Sequence, residues 1–330
     1  MKEIKMQDIV SIFPSWLQKQ LTSKIISWDQ IEEIRIRVNR PVEIASSSGP
    51  RLMKEVLPSE KDVLYMIDQL SQHSIYRLEE ELRQGYITMN GGHRVGISGK
   101  VNMENGHVKN IRYFSSLNIR IARPVKNVSV PYLPMIYHNS RVCNVLLVGP
   151  PRCGKTTFLR DLTRLISDGF QSWPSRKVGL IDERSEIAAC KHGVPQQDVG
   201  MRTDVMDACP KAEGMMMMIR SMSPDVLVVD EIGSNQDVEA IMEALHAGVS
   251  VIASVHGDDY EEIKQRPSLQ PLFQHRVIER YIVFANDKKP GIVRSVLDDN
   301  GQPLSRSMEA KKNENSRRHP VALRYNLDRI

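Results

Sequence analysis

The strand-to-helix transition at residues 144–157 constrains the fold more than any other part of the chain. An apolar run at residues 144–148 predicts a buried strand, and it leads directly into Gly-Pro-Pro-Arg-Cys-Gly-Lys-Thr at residues 149–156. A helical spacing of apolar residues follows. Residues 149–156 match the motif G-x-x-x-x-G-K-[ST]. In this motif the backbone N–H groups of a loop and the N-terminus of the following helix surround phosphate oxygens.

Each position of this loop has a predicted role. Gly149 and Gly154 permit backbone angles that turn successive N–H groups toward an anion. We expect Lys155 to neutralise the β- and γ-phosphates and the Thr156 hydroxyl to complete the coordination shell of Mg²⁺. The residues predicted to bind nucleotide are Gly149, Pro150, Pro151, Arg152, Cys153, Gly154, Lys155, Thr156 and Thr157.

A second motif, at residues 225–231, is an apolar strand that ends in Asp230 and Glu231. We expect this strand to lie beside the strand of the phosphate loop, so that its tip faces the nucleotide. Asp230 would then hold Mg²⁺ opposite Thr156. Glu231 is predicted to be the base that orients and deprotonates the attacking water. The alternative interpretation, two solvated acids after a core strand, is weakened by the complete phosphate loop.

Two further apolar strands are expected to end in functional side chains. Asp182, Glu183 and Glu186 follow the first, and they are predicted to bind Mg²⁺ through water or to position the nucleophile. His256 follows the second, where it is predicted to sense the γ-phosphate or to signal to a neighbouring subunit. A solvated acidic loop and a structural histidine are the alternatives.

The order of strands and helices predicts two domains. Residues 1–125 have the mixed pattern of a small α+β domain, and the proline-containing residues 126–141 are expected to form a linker. Residues 142–300 alternate strands and helices, which predicts an α/β fold of the RecA-like P-loop class with a mostly parallel sheet and helices on both faces. A basic tail at residues 301–330 would complete the chain.

Charge and hydropathy exclude several classes of protein. The net charge is +5, but residues 306–330 carry seven basic and three acidic residues, so the rest of the chain is near neutrality. A near-neutral body in which 5% of residues are aromatic is a poor nucleic-acid clamp, so no nucleic-acid partner is expected. No apolar run approaches the roughly 20 residues of a membrane-spanning helix, and the first residues lack the apolar core of a signal peptide. We therefore expect a cytoplasmic protein without a membrane span.

In their order along the chain, the four motifs resemble those of the type II and type IV secretion ATPases, which are hexameric motors. Two positions depart from that pattern, because Asp230 stands where those motors usually have glycine and Gly233 where they usually have arginine. A closer resemblance, over nearly the full length, is to the stage III sporulation protein AA family. The segments that carry it are residues 34–37, 91–96, 148–157, 180–187 and 254–257.

The resemblance implies an ATPase with ATP and Mg²⁺ as its ligands, located at the mother-cell membrane. Its implied partners are membrane proteins of the channel that joins mother cell and forespore. We therefore expect an ATP-hydrolysing motor subunit that works as a homo-oligomeric ring, a hexamer. A neighbouring subunit would supply positive charge at the γ-phosphate from Arg120 or Arg123. A nucleic-acid translocase or helicase, and a nucleotide-gated scaffold with little turnover, are the alternative functions.

Overall fold

The computed structural model describes residues 6–25, 27–71, 82, 85–104, 107–123, 125–287 and 290–304. They form two compact units. The first contains the described residues up to 123 together with Ala188–Gln197, and the second contains Val125–Ile187 and the described residues from Asp198 onward. Residues 126–141, expected as a linker, lie within the second unit. Most of the basic tail lies outside the described residues.

The first unit is an antiparallel sheet with its strands in the order β3-β2-β1-β6-β5-β4. One face of the sheet buries alternate apolar side chains such as Ile34 and Ile36, as the period-two pattern of β1 predicts. Ser59 and Asp62 form a capping box at the start of α3. The elements are α1 Met6–Val10, α2 Ser15–Lys24, β1 Ile31–Arg37, β2 Val42–Ser46, β3 Gly49–Met53, α3 Glu60–Leu70, β4 Tyr86–Thr88, β5 Arg94–Glu104 and β6 His107–Arg120.

Residues 188–197 belong to this first unit, although they interrupt the sequence of the second. The Gln197 side chain donates a hydrogen bond to the carbonyl of Gly91 at 3.1 Å. The backbone N–H of Gly91 donates to Gln196 Oε1, also at 3.1 Å. These bonds secure the segment to the turn between β4 and β5.

The second unit contains a sheet in the order β11-β10-β12-β13-β9-β14-β15. Its neighbouring strands are parallel except for the antiparallel pair β14–β15, which confirms the mostly parallel sheet predicted from the sequence. The elements are α4 Leu133–Ile136, β7 Tyr137–His138, β8 Arg141–Val142, β9 Val145–Gly149, α5 Lys155–Asp168, β10 Val178–Asp182, β11 Thr203–Asp207, α6 Lys211–Met222, β12 Val226–Val229, α7 Asn235–His246, β13 Ser250–His256, α8 Tyr260–Lys264, α9 Gln270–Gln274, β14 Arg280–Phe284 and β15 Val293–Leu297.

The strand order corrects one expectation. β12 does not lie beside the phosphate-loop strand β9, because β13 lies between them, with Ala253 opposite Val229 and His256 opposite Gly149. β13 is buried at every position up to Val255, as a central parallel strand must be. The carboxyl ends of parallel strands share one edge of the sheet, so the tips of β9, β12 and β13 still meet.

A buried carboxylate connects the start of the second unit to helix α5. The Asp161 side chain is fully buried. It accepts hydrogen bonds from the backbone N–H groups of Asn127 at 2.9 Å and Ser129 at 3.0 Å. The Ser129 hydroxyl at 2.7 Å and Arg164 Nη2 at 2.7 Å also donate to it. These bonds explain why the proline-containing segment belongs to the second unit.

Candidate nucleotide-binding site

The phosphate loop between β9 and α5 has the backbone geometry that its glycines predict. Gly154 adopts a left-handed conformation with φ of +100°. A Cβ atom there would lie 2.6 Å from the backbone nitrogen of Gly291, which donates to the Cys153 carbonyl at 2.7 Å. A Cβ on Gly149 would lie 2.7 Å from Cys153 Sγ. Both glycines are therefore needed for space, and Gly154 is needed also for its left-handed backbone conformation.

Lys155 is the buried cation of this loop, with 5% of its surface exposed. Its ammonium group donates to the carbonyls of Gly149 at 2.6 Å and Pro150 at 2.9 Å. Burial lowers the pKa of Lys155, and the charges of Asp230 and Glu231 oppose this effect. A buried ammonium group held mainly by neutral carbonyls suits an anionic ligand, so the loop fits a nucleotide phosphate.

His256 connects Lys155 to Glu231. Its Nδ1 atom lies 3.3 Å from Lys155 Nζ, and its Nε2 atom lies 2.8 Å from Glu231 Oε1. An ammonium group can only donate, so Nδ1 accepts and Nε2 carries the proton donated to Glu231. The second oxygen of Glu231 lies 2.8 Å from Arg184 Nη1. The phosphate loop and the acidic end of β12 are therefore joined by hydrogen bonds across β13.

The two acids after β12 are both fixed by Ser254. The Ser254 hydroxyl donates to Asp230 Oδ1 and accepts the backbone N–H of Glu231 at 3.0 Å. Burial raises the pKa of Asp230, and the hydrogen bond from Ser254 opposes that rise. Glu231 has a φ of +50°, a left-handed conformation that is rare for a residue with a side chain.

The acids after β10 make contacts of a different kind. Asp182 is buried, and its carboxylate accepts the backbone N–H groups of Glu186 and Ile187, each at 2.9 Å. Glu183 forms an ion pair with Lys211. Asp182 thus shapes the turn after β10, while the catalytic roles of Asp182, Glu183 and Glu186 stay predictions.

The two arginines predicted to act on a neighbouring subunit lie in the first unit. Arg120 has a side chain that is 70% exposed, and its Nε lies 3.6 Å from Glu33 Oε1. Arg123 is less accessible, since its Nη2 donates to the Ile31 carbonyl at 2.8 Å. Of the two, Arg120 has the more available guanidinium group.

The side chains available to bind a metal ion at this site suit Mg²⁺ better than a metal ion whose ligands all come from the protein. No group of three or more His, Cys, Asp and Glu side chains is placed to hold a metal ion among the residues that the structure describes. Thr156 and Asp230, the predicted ligands, would supply two oxygens. Mg²⁺ commonly takes only one or two protein oxygens and completes its shell with phosphates and water.

Three residues of the site were not predicted: Ser254, Arg184 and Gly291. Ser254 had a signal, because it is a hydroxyl within the otherwise apolar run of residues 251–255. Arg184 also had one, since it is a lone cation among the acids after β10. Gly291 had none, because its proximity to the phosphate loop depends on the path of the chain after β14.

The chain is similar to known proteins over most of its length. The family described as sporulation stage III, protein AA matches residues 3–304. The stage III sporulation protein AA of Bacillus subtilis (strain 168) is 48% identical over 307 residues, covering 93% of this chain and 99% of that protein.

Solved structures show the same fold at low sequence identity. The ATPase DotB of Legionella pneumophila is 15% identical, with a TM-score of 0.55 over 87% of this chain and 88% of that one. The pilus retraction motor PilT, solved with bound ADP, is 16% identical, with a TM-score of 0.56 over 90% of this chain and 87% of that one. The similarity extends over nearly the whole length of both chains, and the sequence match identifies the group within this fold. The chain belongs to the sporulation stage III protein AA family.

Proposed function

We propose that this chain is a subunit of a Mg²⁺-dependent, ATP-hydrolysing motor. The observation that carries the proposal is the hydrogen-bonded path from Lys155 through His256 to Glu231. A protein that only binds nucleotide has no need for a carboxylate joined to its phosphate loop in this way. The fold shared with the ATPase DotB and the motor PilT supports the same conclusion.

The residues of the site divide the chemistry among them. Lys155 and the N-terminus of α5 hold the phosphates, since both present positive charge to an anion. Thr156 and Asp230 hold Mg²⁺, which when bound would neutralise charge that develops on the phosphates. Glu231 accepts a proton from the attacking water. For this, one of its two oxygens must first be released from its contact with His256 or Arg184.

We extend the proposal to a homo-oligomeric ring, a hexamer, at the mother-cell side of the sporulation membrane. Its partners would be membrane proteins of the channel between mother cell and forespore. Family membership supports the link to sporulation. No helix in the described part of the chain combines the length and the apolarity needed to cross a bilayer. Attachment through such partners is consistent with that finding.

Arg120 or Arg123 of a neighbouring subunit would complete the charge at the γ-phosphate. Arg123→Ala is then expected to lower kcat while leaving nucleotide affinity nearly intact, because the guanidinium group acts mainly in the transition state. Arg120→Ala, at the more exposed position, should behave in the same way if it is the acting residue. Equal losses in kcat and affinity for both variants would refute this assignment.

The test of the proposed function is sedimentation of the purified protein with and without a non-hydrolysable ATP analogue, followed by an ATPase assay on each species. We expect an assembled species with Mg²⁺-dependent turnover that does not require DNA. Lys155→Ala should lose nucleotide binding, whereas Lys264→Ala, at an exposed position on α8, should not. Turnover that requires DNA would support a translocase instead, and binding without turnover would support a scaffold.

A further inference from the structure

Ser254 is a fully buried polar residue whose side-chain hydrogen bonds both involve the acidic turn after β12. Its exposed fraction is 0%, and it lies on β13 between the phosphate-loop strand and the strand of the acids. It does not contact the phosphate loop through its side chain. A buried hydroxyl in the middle of an apolar strand requires hydrogen-bond partners, and both partners here belong to the turn.

Three consecutive residues of that turn are held by Ser254. Its hydroxyl donates to the Asp230 carboxylate and accepts the Glu231 N–H at 3.0 Å. Its carbonyl accepts the N–H of Ile232 at 2.8 Å. One hydroxyl has one proton to donate and lone pairs to accept with, so the two side-chain bonds form at the same time and in a fixed sense.

The turn needs such support because its backbone is strained. The φ of +50° at Glu231 costs roughly 1–2 kcal/mol for a residue with a Cβ, so the surrounding contacts must maintain it. This conformation directs the Glu231 carboxylate to His256 and Arg184. Without the acceptor on Ser254, the Glu231 N–H would lack its hydrogen bond and the turn would have other conformations available.

We propose that Ser254 is the positioning residue of the hydrolytic site, which orients the metal-binding Asp230 and the base Glu231 through one hydroxyl group. The inference rests on the proposed ATPase function and goes beyond it by assigning a residue that acts through the two acids. Both side-chain hydrogen bonds of Ser254 run to the turn, so its role is exerted through Asp230 and Glu231.

The test uses Ser254→Ala with Ser250→Ala as its matched control. Ser250 lies on the same strand, is also buried, and donates its hydroxyl to the Val142 carbonyl at 2.8 Å, away from the acids. Both variants lose one buried hydroxyl and one donated hydrogen bond. Ser254→Ala also loses the bond that it accepts from the Glu231 N–H, so its stability should fall by at least as much as that of Ser250→Ala. If Ser254→Ala folds poorly, Ser254→Cys replaces it in the test. Cysteine keeps the shape of the side chain with weaker hydrogen bonding, so this variant should have a kcat between those of the wild type and Ser254→Ala.

For Ser254→Ala we expect kcat to fall by about 10- to 100-fold, the usual effect of removing a residue that orients a ligand of a metal. The Mg²⁺ concentration needed for binding of a fluorescent ATP analogue should rise about 10-fold, while binding measured without Mg²⁺ should stay within about 2-fold. Ser250→Ala should match the wild type in all three measurements. In a Glu231→Gln background, the part of the Ser254→Ala effect that acts through Glu231 should disappear, so the combined loss in kcat should be smaller than the product of the two single losses.

Equal kcat and equal Mg²⁺ dependence in Ser254→Ala and Ser250→Ala would overturn the positioning role. Absence of turnover in the wild type would overturn the proposed function instead. In that case the Mg²⁺ titration of analogue binding still decides the role of Ser254: a shift relative to Ser250→Ala supports it, and the lack of a shift refutes it.

Discussion

Replacement of Asp161 by alanine tests whether the segment before β9 is part of the second unit. The Asp161 carboxylate has no exposed surface and accepts four hydrogen bonds, from two backbone N–H groups, the Ser129 hydroxyl and Arg164. Alanine would leave the two N–H groups and the Ser129 hydroxyl without this acceptor, whereas Arg164 Nη2 would keep its bond to Asn127 Oδ1 at 3.0 Å. It would also break the ion pair with the largely buried Arg164. Removing one partner of a buried pair costs about 3–5 kcal/mol, and the individual hydrogen bonds are not additive beyond that. We therefore expect the free energy of unfolding of the second unit to fall by about 3–5 kcal/mol.

Urea unfolding followed by the fluorescence of Trp173 measures this loss. Trp173 belongs to the second unit and stacks on Tyr137, with ring centroids 4.6 Å apart. The other two tryptophans, Trp16 and Trp28, lie in the first unit and are replaced by phenylalanine in all variants. The transition then reports on the second unit alone.

Asp168→Ala is the matched control on the same helix. Asp168 accepts a hydrogen bond from the backbone N–H of Met201 at 2.7 Å and is only half-buried. Its replacement should cost about 1 kcal/mol. If Asp161→Ala is no more destabilising than Asp168→Ala, the carboxylate does not secure the segment and the explanation given for the domain boundary is wrong.

Three further predictions concern strain, space and charge. Glu231→Gly should be more stable than Glu231→Ala by about 1 kcal/mol in thermal unfolding, since both lose the side chain but only alanine keeps a Cβ at φ +50°; equal stabilities would argue against the strained turn. Gly154→Ala should weaken ATP binding more than 10-fold in fluorescence titrations, because its Cβ would collide with the loop after β14. The control is Gly248→Ala, at φ +79° in open space, which should lower stability without changing ATP binding. Burial tends to raise the pKa of Glu279, but the hydrogen bonds from Arg141 and from the Asn144 N–H, together with the charges of Arg141 and Arg280, outweigh it and hold that pKa below its ordinary value. The Glu279–Arg141 pair therefore stabilises the fold above about pH 4.3, and this stabilisation is lost as the pH falls through the lower folded pKa. Glu279→Gln should lower the free energy of unfolding at pH 7, and this effect should vanish in acid.

The local features of the site were predictable because they are written in short segments. The phosphate loop and the acidic end of β12 each combine an apolar strand with a few functional residues in fixed spacing. Most strands and helices of the second unit follow from periodicity for the same reason. The exceptions are β11, whose residues Thr203–Asp207 include only two successive apolar side chains, and the short elements α4, β7 and β8, which fall mostly in the segment expected to be a linker. Family resemblance rests on these same segments.

The long-range features could not be predicted in the same way. The position of β13 between β9 and β12 depends on strand pairing across more than 100 residues, for which the sequence of any one strand gives no signal. That order is what places His256 and Ser254 between the loop and the acids. The membership of residues 188–197 in the first unit likewise depends on hydrogen bonds to Gly91, which is distant in sequence.

The most direct test of the proposed chemistry is single-turnover hydrolysis of ATP by the wild type and by Glu231→Gln. The variant keeps the size of the side chain but removes the basic carboxylate. We predict that it binds Mg²⁺ and ATP with near wild-type affinity and retains the bound ATP intact, with cleavage slower by about 10²- to 10⁴-fold, the usual contribution of a general base. Cleavage at the wild-type rate would show that Glu231 is not the base and would contradict the proposed mechanism.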